Sequence, residues 1–242
     1  MAGVAGRGTE GRMTQAFQNF VKTVKAKTPP GQMVTIPPAP QRDLYECAMF
    51  LHTKLSQRGV PYYFLGGFAC INVGMTARTT SDIDIAVPSG QEGYGVLLEI
   101  LAQPPFIQDK SGVLPKDAYY FYVESSGSFI EVDGVLAGLF AFPKMEQAQL
   151  VRLGSKMQLT FLSAPELLKL KFSTWNNKSR RMSAKRSGDM SDITSIRELM
   201  IRSGQKINLK ALQQDMGQGL KEWVQEFHDL EEWQKLDPSY KG

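Results

Sequence analysis

Residues Tyr62–Pro88 read YYFLGGFACINVGMTARTTSDIDIAVP, and this pattern decides the fold. The apolar run Tyr63-Phe64-Leu65 predicts a buried strand that ends at Gly66-Gly67. Phe68, Ile71 and Met75 then recur at helical spacing. A polar turn, Arg78-Thr79-Thr80-Ser81, leads into a second strand, Asp82-Ile83-Asp84-Ile85. Residues two apart in a strand share a face. Asp82 and Asp84 are therefore expected side by side, with Ile83 and Ile85 entering a core. Paired carboxylates on one rigid face repel each other unless a cation lies between them. A divalent ion with oxygen ligands, magnesium first, is the simplest such cation.

Further along, Phe129-Ile130-Glu131-Val132-Asp133 repeats the device. Acidic residues are poor strand formers, so their recurrence at alternate strand positions points to a role beyond an exposed face. If this strand pairs beside the first, Glu131 or Asp133 completes a three-carboxylate cluster. Such a cluster can hold two divalent ions, the arrangement used for in-line phosphoryl transfer. Gly66-Gly67 fits the same chemistry. Without a Cβ, the backbone at a helix start can approach an anion such as phosphate.

Leu65-Gly66-Gly67 followed by Arg78-Thr79-Thr80-Ser81-Asp82-Ile83-Asp84-Ile85 resembles the nucleotidyltransferase superfamily of DNA polymerase beta type. It is most similar to the small-molecule nucleotidyltransferase and AbiEii-toxin-like branches. The resemblance is specific over Tyr62–Val87 and looser as far as Asp192. It implies an α+β fold: a mixed sheet flanked by helices, followed by a helical C-terminal half. It also implies that Asp82, Asp84 and Asp133 bind metal, Mg²⁺ or alternatively Mn²⁺, with Asp133 preferred to Glu131 as third carboxylate and as base. Gly66 and Gly67 would contact nucleotide phosphates. Arg78, Thr80 and Ser81 would either bind the triphosphate or hold the aspartate strand. Lys171, Arg180 or Arg181, Lys185, Asp189 and Asp192 occupy a run comparable to the basic motif of the AbiEii-like branch, although Arg186-Ser187-Gly188 separates Lys185 from Asp189. Lys171 and Lys185 are thereby candidates for nucleotide binding.

Composition bounds the alternatives. The chain has 242 residues, 42% hydrophobic and 21% charged, with a formal net charge of +4. These values are those of a soluble globular protein, and no apolar run approaches the length of a bilayer span. Cys47 and Cys70 are the only cysteines, expected as reduced buried thiols. His52 and His228 are the only histidines, which excludes a histidine-rich metal centre. The expected compartment is the cytoplasm. The basic N-terminus, with Arg7, Arg12, Lys22, Lys25 and Lys27 against Glu10, makes a mitochondrial transit peptide the minor alternative.

Three regions are expected: a flexible basic tail over residues 1–40, a nucleotidyltransferase-like α/β domain over 41–162, and a helical region over 163–242. Within the tail, Phe17, Phe20, Val21 and Val24 have amphipathic helical spacing. Helices are expected over Asp43–Arg58 and Glu92–Ala102, and strands over Tyr119–Val123, Phe129–Val135 and Met157–Leu162. Ser163-Ala164-Pro165-Glu166 has the form of a capped helix start. Lys171 on an otherwise apolar helix face either reaches a triphosphate or snorkels to solvent. Lys169–Arg186 holds seven Lys or Arg residues and no acid. The loop Lys178 to Arg186 is either a polyanion contact or a solvated loop. Leu220, Trp223, Phe227 and Leu230 form a helical stripe expected in the core or at a dimer contact.

The expected function is metal-dependent transfer of a nucleoside monophosphate from a nucleoside triphosphate to a hydroxyl, on a small molecule or tRNA, releasing pyrophosphate. The alternative is a catalytically silent nucleotide- or RNA-binding protein of the same fold.

Overall fold

The structure, a computed structural model, describes residues 5–30, 34, 36–75, 78–115, 117–139, 141–154, 158–177, 185–211 and 219–242, with residues 5–9 and 185 described in backbone only. Most of the basic loop Lys178 to Arg186 lies outside the described residues. The chain forms two compact units: residues 1–68 with 79–136, and residues 69–78 with 137–242.

The first unit contains α1 (Ala5–Lys27), α2 (Gln41–Gln57), β1 (Tyr63–Leu65), β2 (Asp82–Val87), α4 (Val96–Leu101), β3 (Phe106–Gln108), β4 (Tyr119–Val123) and β5 (Ser128–Leu136); helix α3 (Gly66–Asn72) begins in it. Its strands run in the order β3-β4-β5-β2-β1. The β2–β5 pair is parallel and the other pairs are antiparallel, so the sheet is mixed.

The central strands are built from residues that suit them. β1 is buried throughout, and Ile83 and Ile85 of β2 are fully buried. On that face lie α2 and α4. Phe50 of α2 packs on Phe121 with ring centres 5.4 Å apart, and a Cβ on Gly134 would come within 2.8 Å of Leu97 of α4. The hydroxyls of Ser126 and Ser128 donate to Oδ2 of buried Asp43 at 2.7 and 2.6 Å, pinning the β4–β5 turn to the start of α2.

The opposite face carries Phe129, Glu131 and Asp133, which alternate along β5, and Tyr120, the cross-strand partner of Glu131. Helix α1 packs on this face. Met13, Phe17 and Val21 are buried with Tyr120, Phe129, Leu114 and Ala118, and the Phe17 ring lies 5.1 Å from Phe129 and 5.4 Å from Tyr120. The amphipathic spacing read in this segment thus belongs to a docked helix. It extends well beyond the residues that revealed it.

The second unit contains a β-hairpin, β6 (Leu150–Leu153) with β7 (Leu159–Leu162), then α5 (Ala164–Trp175), α6 (Lys185–Arg202), α7 (Gly219–Phe227) and α8 (Leu230–Gln234). Helix α5 starts where the sequence places it, with Pro165 in the first turn. The cap differs, because Ser163 makes no side-chain capping bond and Glu166 instead pairs with Lys169 at 3.0 Å. The aromatic stripe is core. Trp223 packs on Phe172 and Trp175 at 5.6 and 5.3 Å between ring centres. Asp229 accepts from the indole N–H groups of Trp223 and Trp233 at 2.9 and 3.1 Å, and from the Arg197 guanidinium. No described helix is long and apolar enough to cross a membrane.

Candidate active site

The parallel β2–β5 register sets Asp82 opposite Glu131 and Asp84 opposite Asp133. On its other side, Asp84 is opposite Leu65, the residue before Gly66. Asp84 is therefore the middle of a row that runs from the Gly66 turn to Asp133. One carboxylate oxygen from each of Asp82, Asp84 and Asp133 lies within 4.8 Å of the others, a grouping that could hold a metal ion. Among the described residues, Glu131 is not part of it.

Three anions this close are costly to keep together. Two unit charges 4.8 Å apart repel by about 3 kcal/mol at an effective dielectric of about 20. The repulsion is smaller at Asp133, which is exposed to solvent. A hard divalent cation removes it and is served by an all-oxygen donor set. Three carboxylates with one exposed edge suit a hard cation and match no soft-metal site.

Gly66 is fixed by this cluster. Its φ is +64°, the left-handed region, and a Cβ there would lie 1.7 Å from Oδ2 of Asp84. Backbone conformation and space thus both demand glycine. The sequence offered Gly66 as a phosphate contact; the structure adds that the Asp84 carboxylate occupies the place of its missing side chain. Gly67 is buried beside it at the start of α3.

Thr80, also buried, donates its hydroxyl to Oδ1 of Asp82, while its carbonyl accepts from Ala39 N–H at 2.9 Å. Thr80 is thus bonded to the aspartate strand through Asp82. Ser81 is half-buried directly before β2.

Tyr120 escaped sequence reasoning. Its hydroxyl is buried without a hydrogen-bond partner. Burial first, then the carboxylates of Glu131, Asp109 and Asp133, push its ionisation well upward, so the phenol stays neutral. The register Asp82–Glu131–Tyr120 across three strands is what brings it toward the acids. No local pattern in the sequence signals this.

The expected basic residues lie in the second unit. Lys171 Nζ is 2.7 Å from Asp192 and 3.6 Å from Asp189. Burial alone would lower its pKa, but Asp192, Cys70 and Asp189 outweigh burial and raise it. Arg78 Nε is 3.4 Å from Asp192. Asp192 therefore ties Arg78, which precedes the aspartate strand, to Lys171 of α5. The sequence named Asp189 and Asp192 only as part of a run, and helical spacing on α6 was the signal for their shared face. Lys185 opens α6, and its side chain is outside the described residues.

No family model matches the chain, and no curated protein matches it in sequence. Solved structures do match. The fold is similar to that of an antigenic nucleotidyltransferase-like protein from Paracoccidioides brasiliensis, at 18% identity and a TM-score of 0.62, covering 83% of this chain and 95% of that one. Weaker likenesses are to the antibiotic-resistance factor ANT(2'')-Ia, at 12% identity and TM-score 0.43 over 77% of this chain and 98% of that one, and to the Megavirus polyadenylate synthase, at 10% and 0.44 over 86% and 40%. The protein has a nucleotidyltransferase-like α+β fold.

Proposed function

We propose that the protein is a metal-dependent nucleotidyltransferase that moves a nucleoside monophosphate from a nucleoside triphosphate to an acceptor hydroxyl, releasing pyrophosphate. The observation that carries this reading is the convergence of Asp82, Asp84 and Asp133 within 4.8 Å beside the Gly66 turn, on a sheet of nucleotidyltransferase-like fold. Mg²⁺ or Mn²⁺ held by these three residues would supply charge stabilisation at the transferring phosphoryl group.

The chain's own residues then have distinct tasks. Asp82 and Asp84 present carboxylates from a strand whose other face is locked in the core, so their spacing is rigid. Thr80 orients Asp82. Asp133, the exposed member, is placed to take the proton of the attacking hydroxyl. Gly66 and Gly67 leave backbone N–H groups at the start of α3 open to nucleotide phosphate. Ser81 is assigned to the same phosphate edge. Lys171 and Arg78 are read as the charged scaffold of the second unit, since Asp192 and Asp189 hold them. In-line phosphoryl transfer relies on positioning and charge, so neither histidine nor cysteine is required.

The test is incubation with labelled nucleoside triphosphates, Mg²⁺ and a cell extract, comparing wild type with Asp84→Ala. Labelled product from the wild type alone is expected. Product from both proteins, or from neither, would overturn the proposal.

A further inference from the structure

The first unit holds a cavity outside the candidate active site's own residues. A groove of about 770 Å³ runs between α1 and the β3 side of the sheet, a volume in the range of small-molecule sites. None of Asp82, Asp84, Glu131 or Asp133 lines it. One wall is a single stripe of α1: Met13, Phe17 and Val21 with Lys22 and Lys25. The other includes Pro104, Phe106, Ile107 and Lys110. Burial separates these groups. Met13, Phe17 and Val21 are buried and, with half-buried Ile107 packed against them, form an apolar floor, whereas Lys22, Lys25 and Lys110 are exposed and stand at the rim.

The charge is also graded along the groove. Glu10 lies twelve residues before Lys22 on the same helix, about 18 Å away at 1.5 Å per residue, so the cationic end is well separated from this acid. Asp109 also lines the groove, but its oxygens accept from Ser111 N–H and Oγ–H and from Val113 and Leu114 N–H at 2.6–2.9 Å. That carboxylate serves its own loop. Among the described residues, Lys22, Lys25 and Lys110 form no ion pair with a carboxylate of the groove.

We infer that this groove binds an anionic amphiphile: a small molecule with an apolar body lying over Met13, Phe17 and Ile107 and a carboxylate or phosphate head at Lys22, Lys25 and Lys110. An extended polymer is less suited, because a floor made of buried apolar side chains rewards a compact apolar body and offers no repeating polar contacts. The inference does not depend on nucleotidyl transfer.

The test is calorimetric titration of the full chain with decanoate, decyl phosphate and decyltrimethylammonium, each below its micelle concentration. Saturable one-to-one binding of an anion, at least tenfold tighter than the cation, is expected. Decanoate alone marks a carboxylate ligand and decyl phosphate alone a phosphate ligand; either supports the site. Lys22→Glu with Lys25→Glu, both exposed, should weaken the anion at least tenfold. Thr14→Trp, an exposed lining position on α1, should block it while leaving the helical circular dichroism unchanged. Equal binding of anion and cation, binding untouched by both variants, or tighter competition by oligoadenylate or a polyglutamate peptide would overturn the inference.

Discussion

Gly66 and Asp84 share one space: the carboxylate oxygen of Asp84 lies 1.7 Å from where a Cβ on residue 66 would stand. The glycine turn and the aspartate strand are thus one device, and neither can change alone. Gly66→Ala would meet a left-handed backbone, which costs a non-glycine residue roughly 1–2 kcal/mol, and would push Asp84 out of the cluster. The expected outcome is a folded protein that has lost affinity for Mn²⁺ by titration calorimetry and, under the proposed function, loses transfer activity by on the order of 10²–10³-fold. Retention of wild-type metal affinity would show that Asp84 is not a ligand.

The same cluster separates Asp133 from Glu131. Both lie on one face of β5, yet Asp133 is the one that converges with Asp82 and Asp84. Asp133→Asn is expected to weaken Mn²⁺ binding by at least about tenfold, equivalent to about 1.4 kcal/mol. Glu131→Gln should leave metal affinity within a factor of about two and act instead on Tyr120, whose phenol the Glu131 charge helps keep neutral. Spectrophotometric titration of tyrosine in the two variants, alongside Mn²⁺ calorimetry, checks both halves.

Much of this arrangement is legible in the sequence because it is local. Alternation at Asp82-Ile83-Asp84-Ile85 and at Phe129–Asp133 encodes which side chains share a face, and the Gly66-Gly67 break marks the turn between β1 and α3. What sequence cannot carry is register. Only the pairing of β2 with β5 decides that Asp84 stands opposite Asp133, and only the β4–β5 register brings Tyr120 into the acidic row. The short strands β3 and β6 escape for a related reason. Three or four residues are too few to establish a period, and their pairing partners define them. Helix α1 shows the reverse case. Its apolar stripe is plain at Phe17, Phe20, Val21 and Val24, but the glycine- and alanine-rich start hides its length, and nothing local reveals that Tyr120 and Phe129 await it.

That docking is open to test. Phe17 is 5% exposed and contacts Tyr120 and Phe129. Replacing a buried Phe by Ala typically costs about 3–5 kcal/mol through lost burial and a residual cavity. Phe17→Ala is expected near the lower end, about 3 kcal/mol, because one side of α1 faces solvent. The exposed Gln15→Ala on the same helix should change stability by less than about 0.5 kcal/mol. Urea midpoints for the two variants discriminate between a docked helix and a free tail. Equal midpoints would mean that α1 contributes no packing.

Lys171 and Asp192 give the final prediction. Both are largely buried, at 15% and 2% side-chain exposure, with the ammonium 2.7 Å from the carboxylate. Asp192→Asn leaves a buried ammonium with Asp189 at 3.6 Å, and breaking a buried pair from one side typically costs about 3–5 kcal/mol. Asp189 keeps the expected loss at about 3 kcal/mol, with Arg78 also released from Asp192. The pH dependence follows from the direction of the lysine shift. Desolvation opposes the charged form, but Asp192, Cys70 and Asp189 raise the folded pKa above its ordinary value of 10.5. A group whose pKa is raised on folding contributes stability that is complete below its unfolded value and disappears as pH climbs through its folded value. The Lys171 contribution to the wild-type urea midpoint should therefore hold steady from neutral pH up to about 10.5 and be lost beyond it. In Lys171→Met this component of the alkaline fall should be absent, although the midpoint at neutral pH is lower because Asp192 is left without its ammonium. Superimposable alkaline profiles for wild type and Lys171→Met would show that the pair contributes nothing to folding.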